Sequence, residues 1–164
     1  MNVRDDCTRN ESWLKPRPTA LPASQPGALY LVSAHDLRGL EVELARGNVP
    51  ADFEAKLKRL AGDTLLHRSV EQNCRLFIAL LQAAKEGSFR QASETEKERL
   101  LRVLAYVRKD DDAIPDYKQG GFVDDQREVR AAATALESLL DAFKSWRLRY
   151  QVPEMWGRRD GVAK

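Results

Sequence analysis

Apolar residues recur at intervals of three and four positions over most of this chain. Between Ser33 and Arg149 the spacing returns in five stretches, separated by residues that commonly begin or end helices. No stretch sustains the two-residue alternation of apolar and polar side chains that is typical of a β-strand. The pattern therefore predicts an all-α fold, a single-domain bundle of about five helices joined by short connections.

Residues with specific cap chemistry divide the periodic region into helices. Ser33, with Asp36 three residues later, is a predicted N-cap, and Ser93 with Glu96 has the pattern of a capping box. Glycine ends helices because it tolerates the left-handed conformation that many helix ends require. Helix ends are therefore predicted at Gly47, Gly62 and Gly87, and the last helix is predicted to run from about Asp124 to Arg149.

The chain has 164 residues, enough for one domain with its own core. Four prolines within residues 1–28 disfavour a helix there, so an extended or disordered N-terminal arm is expected, with Trp13 among its few apolar anchors. The helical bundle is assigned to residues 29–150. Residues 151–164 form a basic C-terminal tail.

Overall charge gives little indication of a partner. The formal net charge is +2, with 43% hydrophobic and 32% charged residues, so no global field attracts nucleic acid or a membrane surface. No apolar run approaches the roughly 18 residues that a membrane-spanning helix needs. No N-terminal segment has the charged and then apolar composition of a secretion signal. A cytoplasmic protein without membrane insertion is the resulting expectation.

An acidic connection between the last two predicted helices is the most distinctive segment. Pro115 favours an extended conformation at Ile114, and the pair Gly120-Gly121 permits a sharp reversal. Ile114 and Phe122 flank its polar residues and are expected to cover one end of the bundle. The predicted structural joint comprises Ile114, Pro115, Asp116, Gly120, Gly121, Phe122, Asp124 and Asp125.

Two interpretations of the carboxylates in this joint remain open. In the first, Asp116, Asp124 and Asp125 cap helices and pair with Arg108 or Arg127. In the second, the same three aspartates bind Mg²⁺ or Ca²⁺, which both prefer oxygen ligands. The spacing does not match an EF-hand loop, and both histidines are distant in sequence.

The joint also carries a resemblance to a known family. Ala-Ile-Pro-Asp at 113–116, followed by Gly-Gly-Phe-Val-Asp-Asp at 120–125, resembles the signature of the YkvA-like proteins, a bacterial domain of unknown function. The resemblance covers roughly residues 95–145. It implies a helix, a glycine-containing turn and a paired Asp-Asp that opens the next helix, and it implies no particular reaction.

The sequence predicts a non-enzymatic interaction or adaptor protein. No P-loop, dinucleotide fingerprint, zinc site or nucleophile elbow is present, and no cofactor is expected. A protein partner or a second copy would bind the acidic loop and the aromatic-bearing arms. The alternatives are a metal-binding domain or metal-dependent enzyme centred on the aspartates, and a nucleic-acid-associated protein that uses the C-terminal arginines. Candidate partner-binding residues are Trp13, Met155, Trp156, Arg158 and Arg159.

Overall fold

The computed structural model describes residues 32–110 and 122–150 of the chain. These residues form six α-helices and no β-strand, which confirms the predicted all-α class. The N-terminal arm and the C-terminal tail lie outside the described residues. The helices are α1 (Ala34–Ala45), α2 (Ala51–Ala61), α3 (Leu65–Lys85), α4 (Glu94–Arg108), α5 (Val123–Ala135) and α6 (Glu137–Tyr150).

Reciprocal capping boxes begin α1 and α4, as the sequence predicts. The Ser33 hydroxyl accepts a hydrogen bond from the Asp36 N–H, and the Asp36 carboxylate accepts one from the Ser33 N–H. Ser93 and Glu96 make the same exchange at the start of α4. Each box satisfies backbone donors that have no partner within the helix. These contacts fix where both helices begin.

The three predicted glycine stops fall at or just after helix ends. Gly47 and Gly87 have φ values of 79° and 74°, in the left-handed region that favours glycine. Gly62 also ends a helix, but it keeps a right-handed conformation with φ of −83°. The left-handed conformation therefore accounts for two of the three ends.

The last predicted helix is divided in the structure, and the prediction of one uninterrupted helix is wrong. Leu136, with φ of −114° and ψ of 19°, leaves the helical conformation and separates α5 from α6. Backbone hydrogen bonds continue on both sides, from the Leu136 N–H to Ala132 and from the Leu140 N–H to Leu136. The helix therefore bends without a break in hydrogen bonding. Neither proline nor glycine lies there to signal the bend.

Helices α3 and α4 form the centre of the bundle. Helix α3 packs against α1, α2, α4 and α5, and α4 is buried along all of residues 103–107. Ring contacts set the direction of the last two helices. His67 meets Phe122 near the start of α3, and Phe89 meets Phe143 just beyond its end. Helices α5 and α6 therefore run in the same direction as α3.

No helix in the described ranges combines the length and the apolar character needed to cross a bilayer.

Candidate functional site

Two of the predicted joint aspartates lie inside the bundle, where they meet Lys56 and Tyr106. Asp124 and Asp125 are 2% and 0% exposed in the first turn of α5. The Lys56 ammonium lies 3.1 Å from Oδ2 of Asp125, and the Tyr106 hydroxyl donates a 2.7 Å hydrogen bond to Oδ2 of Asp124. Lys56 and Tyr106 are equally buried. We refer to these four side chains as the buried ion cluster.

Lys56 connects three helices through this cluster. It extends from α2 and donates a 2.6 Å hydrogen bond to the carbonyl oxygen of Lys109, the residue that caps the C-terminal end of α4. Helix C-terminal ends attract cations, and helix N-terminal ends attract carboxylates such as Asp125. Lys56 therefore holds the end of α4 close to the start of α5, on either side of residues 111–121.

Phe122 covers the outer side of Lys56. Its ring centroid lies 5.6 Å from the Lys56 ammonium and 4.9 Å from the His67 ring. The ring is half-buried and packs against the core. Ile114, its predicted partner in covering one end of the bundle, lies outside the described residues, so that expectation stays a prediction.

Asp124 and Asp125 lie in the first turn of α5 but are not its N-cap, and the predicted arginines pair with other carboxylates. The N-cap of α5 is Phe122, whose own side chain supplies no capping hydrogen bond. Neither predicted arginine turns toward these aspartates: Arg108 binds Asp52, and the Arg127 guanidinium lies near Glu128. The physical reason is burial, because a carboxylate taken out of water requires a close cation or donor. Lys56 and Tyr106 meet that requirement within the core.

The geometry also bears on the metal interpretation. Asp125 already lies 3.1 Å from a cation of the chain itself, the Lys56 ammonium. Within residues 32–110 and 122–150, no group of three or more potential ligands is arranged to hold a metal ion. Asp116, the third residue of the predicted metal set, lies outside the described residues. Within the described residues, Asp125 provides a counter-charge to Lys56, and Asp124 accepts a hydrogen bond from Tyr106.

Most of the other predicted site residues also fall outside the described ranges. For the joint these are Ile114, Pro115, Gly120 and Gly121. For partner binding they are Trp13, Met155, Trp156, Arg158 and Arg159. Their predicted roles stay predictions.

Ion pairs fasten the C-terminal end of α4 to α1 and α2 at the surface. The Lys109 ammonium lies 2.8 Å from Asp36, and Arg108 contacts Asp52 at 2.7 Å. The hydrogen bond from Lys109, with a second from Ser33, lowers the pKa of Asp36 to about 2. These charges are therefore engaged with one another and connect three helices at the surface.

A groove runs between α3 and the α5–α6 pair on another side of the bundle. It encloses about 450 Å³ and is lined by Leu66, Ser69 and Asn73 on α3. Opposite them are Arg130 and Ala133 on α5, and the groove continues along Glu137 and Asp141 on α6. We call this feature the α3–α5–α6 groove. It offers small and polar side chains along its length and an exposed leucine at one end.

Comparisons with known proteins add no relative. No protein-family model, no curated protein and no solved structure matches this chain. The resemblance to the YkvA-like proteins accordingly stays a prediction.

Lys56 and Tyr106 are the two residues of the cluster that the sequence interpretation missed, and Lys56 left the clearer signal. It lies on the apolar face of α2, three residues after Phe53 and four residues before Leu60. A lysine at such a position needs a buried counter-charge. That requirement, set beside the unusual Asp124-Asp125 pair, is the signal that could have linked α2 to α5.

Proposed function

We propose that this chain is a non-enzymatic interaction protein whose α3–α5–α6 groove binds a segment of a protein partner. The observation that carries the proposal is the exposure of two consecutive leucines beside that groove. Leu65 is 81% exposed and Leu66 is 58% exposed, and Leu66 lines the groove itself. Exposed apolar side chains next to a groove between helices suit the docking of an amphipathic segment.

Charge supports a protein ligand at this place. The lining includes both a cation, Arg130, and the carboxylates Glu137 and Asp141. Mixed charges around an apolar contact provide the polar rim that protein interfaces commonly show. Nucleic-acid binding favours a surface of uniformly positive charge, and these residues do not form one.

The acidic loop and the two arms stay predicted contributors to binding. The metal and nucleic-acid alternatives also stay predictions, because Asp116, Arg158 and Arg159 lie outside the described residues. Among the described residues, no observation favours either alternative over protein binding.

The test places a photo-crosslinking amino acid at position 66 and, as a matched control, at the exposed Arg38 of α1. Irradiation in extract of the source cells is expected to yield a defined covalent protein adduct from position 66 and none of the same mass from position 38. Mass spectrometry identifies the adduct. Equal labelling from both positions, or no adduct at position 66, would contradict a binding role for the groove.

A further inference from the structure

Eight exposed residues follow one face of α5 and α6. Five of them also line the α3–α5–α6 groove: Arg130, Thr134, Glu137, Asp141 and Lys144. Successive members are four or three residues apart, the repeat that places side chains on one narrow helix face. Every one of them is exposed. We call this line the α5–α6 stripe, and it comprises Val123, Arg127, Arg130, Thr134, Glu137, Asp141, Lys144 and Leu148.

The charges along the stripe are ordered around Thr134. Arg127 precedes Thr134 by seven residues, and Asp141 follows it by seven. Arg130 precedes it by four, and Glu137 follows it by three. These two arginines and two carboxylates are therefore close to mirror-symmetric about Thr134, and Lys144 lies beyond them. If two such stripes lie antiparallel, each arginine of one copy meets a carboxylate of the other.

These charges are only partly engaged within the chain. The Arg127 guanidinium lies 3.4 Å from Glu128, with its side chain 62% exposed. Arg130 and Glu137 form no ion pair with any residue of the described ranges. Asp141 lies 3.0 Å from Lys144, but both side chains are more than half exposed, and such surface pairs contribute little. The stripe can therefore exchange its internal contacts for contacts with a partner at little cost.

We infer that the α5–α6 stripe binds a second copy of this chain, antiparallel, around a two-fold axis at Thr134. The inference rests on the proposed function and names its partner. In an interface with two-fold symmetry, every contact between two different residues occurs twice. The pairs of Arg127 with Asp141 and of Arg130 with Glu137 would therefore each form twice. Ala131 and Ala135 lie beside Thr134 and are exposed, and their small side chains permit close approach of the helices.

The charge order provides a test by reversal. Arg130→Glu places like charges opposite each other in both halves of the dimer, and Glu137→Arg does the same. Each single variant is expected to self-associate at least about tenfold more weakly than the unmodified chain. Mixing the two variants restores both unlike pairs and is expected to restore association. Sedimentation velocity over a concentration series measures each case.

Arg38→Glu on α1 is the control, because it changes the net charge equally at an exposed position outside the stripe. Circular dichroism verifies that each variant is folded. A monomeric unmodified chain at every concentration would overturn the inference. A mixture of Arg130→Glu and Glu137→Arg that did not recover association would also overturn it.

Cross-linking tests the orientation. Thr134→Cys in a Cys7→Ser background is expected to form a covalent dimer under mild oxidation, because the axis brings the two cysteines together. Cys74 stays inert, since burial raises the pKa of its thiol. Lys144→Cys is the matched control: antiparallel helices place the two copies about 30 Å apart at this position. Cross-linking at 144 would indicate a parallel pairing and overturn the inference.

The two proposals fail separately. A chain that is monomeric when purified but gives a defined adduct to a different protein from position 66 would overturn self-association and leave the protein-binding role intact. If position 66 gave no adduct and the chain did not self-associate, both proposals would be contradicted.

Discussion

Removing the Lys56 ammonium should destabilise the protein severely, although Lys56 touches no solvent. The substitution Lys56→Met keeps the length and apolar stem of the side chain and deletes its charge. It leaves Asp125, which is fully buried, without the ammonium that lies 3.1 Å away, and it removes the donor to the Lys109 carbonyl. Breaking a buried ion pair by removing one partner costs about 3–5 kcal/mol.

A double-mutant cycle separates the ion pair from simple packing. Asp125→Asn alone leaves the Lys56 charge buried without its carboxylate, whereas Lys56→Met combined with Asp125→Asn leaves neither charge. The double variant should therefore be more stable than the sum of the single effects predicts, with a coupling free energy of about 2–3 kcal/mol. Urea denaturation followed by circular dichroism gives the free energy of unfolding of all four proteins.

Lys58→Met is the matched control on the same helix. Lys58 is 73% exposed and lies 3.9 Å from Glu54, so its substitution should change the free energy of unfolding by no more than about 0.5 kcal/mol. If Lys56→Met and Lys58→Met had equal effects, or if the cycle were additive, the buried ion cluster would not hold α2, α4 and α5 together. Should Lys56→Met fail to fold, folding of the double variant would still demonstrate the coupling.

Two further predictions concern hydrogen bonds to carboxylates. Tyr106→Phe should lower the free energy of unfolding by about 1.5–3 kcal/mol, because it removes the hydroxyl that donates to the buried Asp124. Tyr150→Phe is the control and should be nearly neutral, because Tyr150 is exposed. Equal urea midpoints for the two variants would refute the role of the Tyr106 hydroxyl. Lys109→Gln should raise the pKa of Asp36 from about 2 towards its ordinary value of 3.8, as measured by NMR titration. The lowered pKa stabilises the fold above pH 3.8, and that contribution is lost as the pH falls towards 2. The unmodified chain should therefore lose more free energy of unfolding over this interval than Lys109→Gln. Equal losses of free energy in the two proteins would contradict the pairing of Lys109 with Asp36.

The helix ends could be predicted because their interactions are local. Ser33 and Ser93 each exchange hydrogen bonds with a residue three positions away, so the contact is contained in the sequence pattern itself. The positive φ of Gly47 and Gly87 is likewise a property of a single residue. The bend at Leu136 has no such local signal, since no proline or glycine lies there. The apolar spacing also continues from Ala132 through Leu136 to Leu140, so the sequence pattern predicts one helix there.

The roles of the distinctive aspartates could not be predicted from their neighbours. Asp124 and Asp125 occupy the first turn of a helix, where carboxylates commonly face solvent and bind backbone N–H groups. Their actual partners, Tyr106 and Lys56, come from α4 and α2. Only an arrangement of three helices brings these groups within hydrogen-bonding distance.

The sequence by itself determined that the described part of this chain is helical, and it determined where most of its helices begin and end. Those properties follow from apolar periodicity and from hydrogen bonds between residues three or four positions apart. Only the tertiary structure decided which charged side chains are buried and which form the exposed α5–α6 stripe. Burial of a charge requires a counter-charge within a few ångströms, and Lys56 and Asp125 meet that requirement across separate helices because the whole bundle has packed around them.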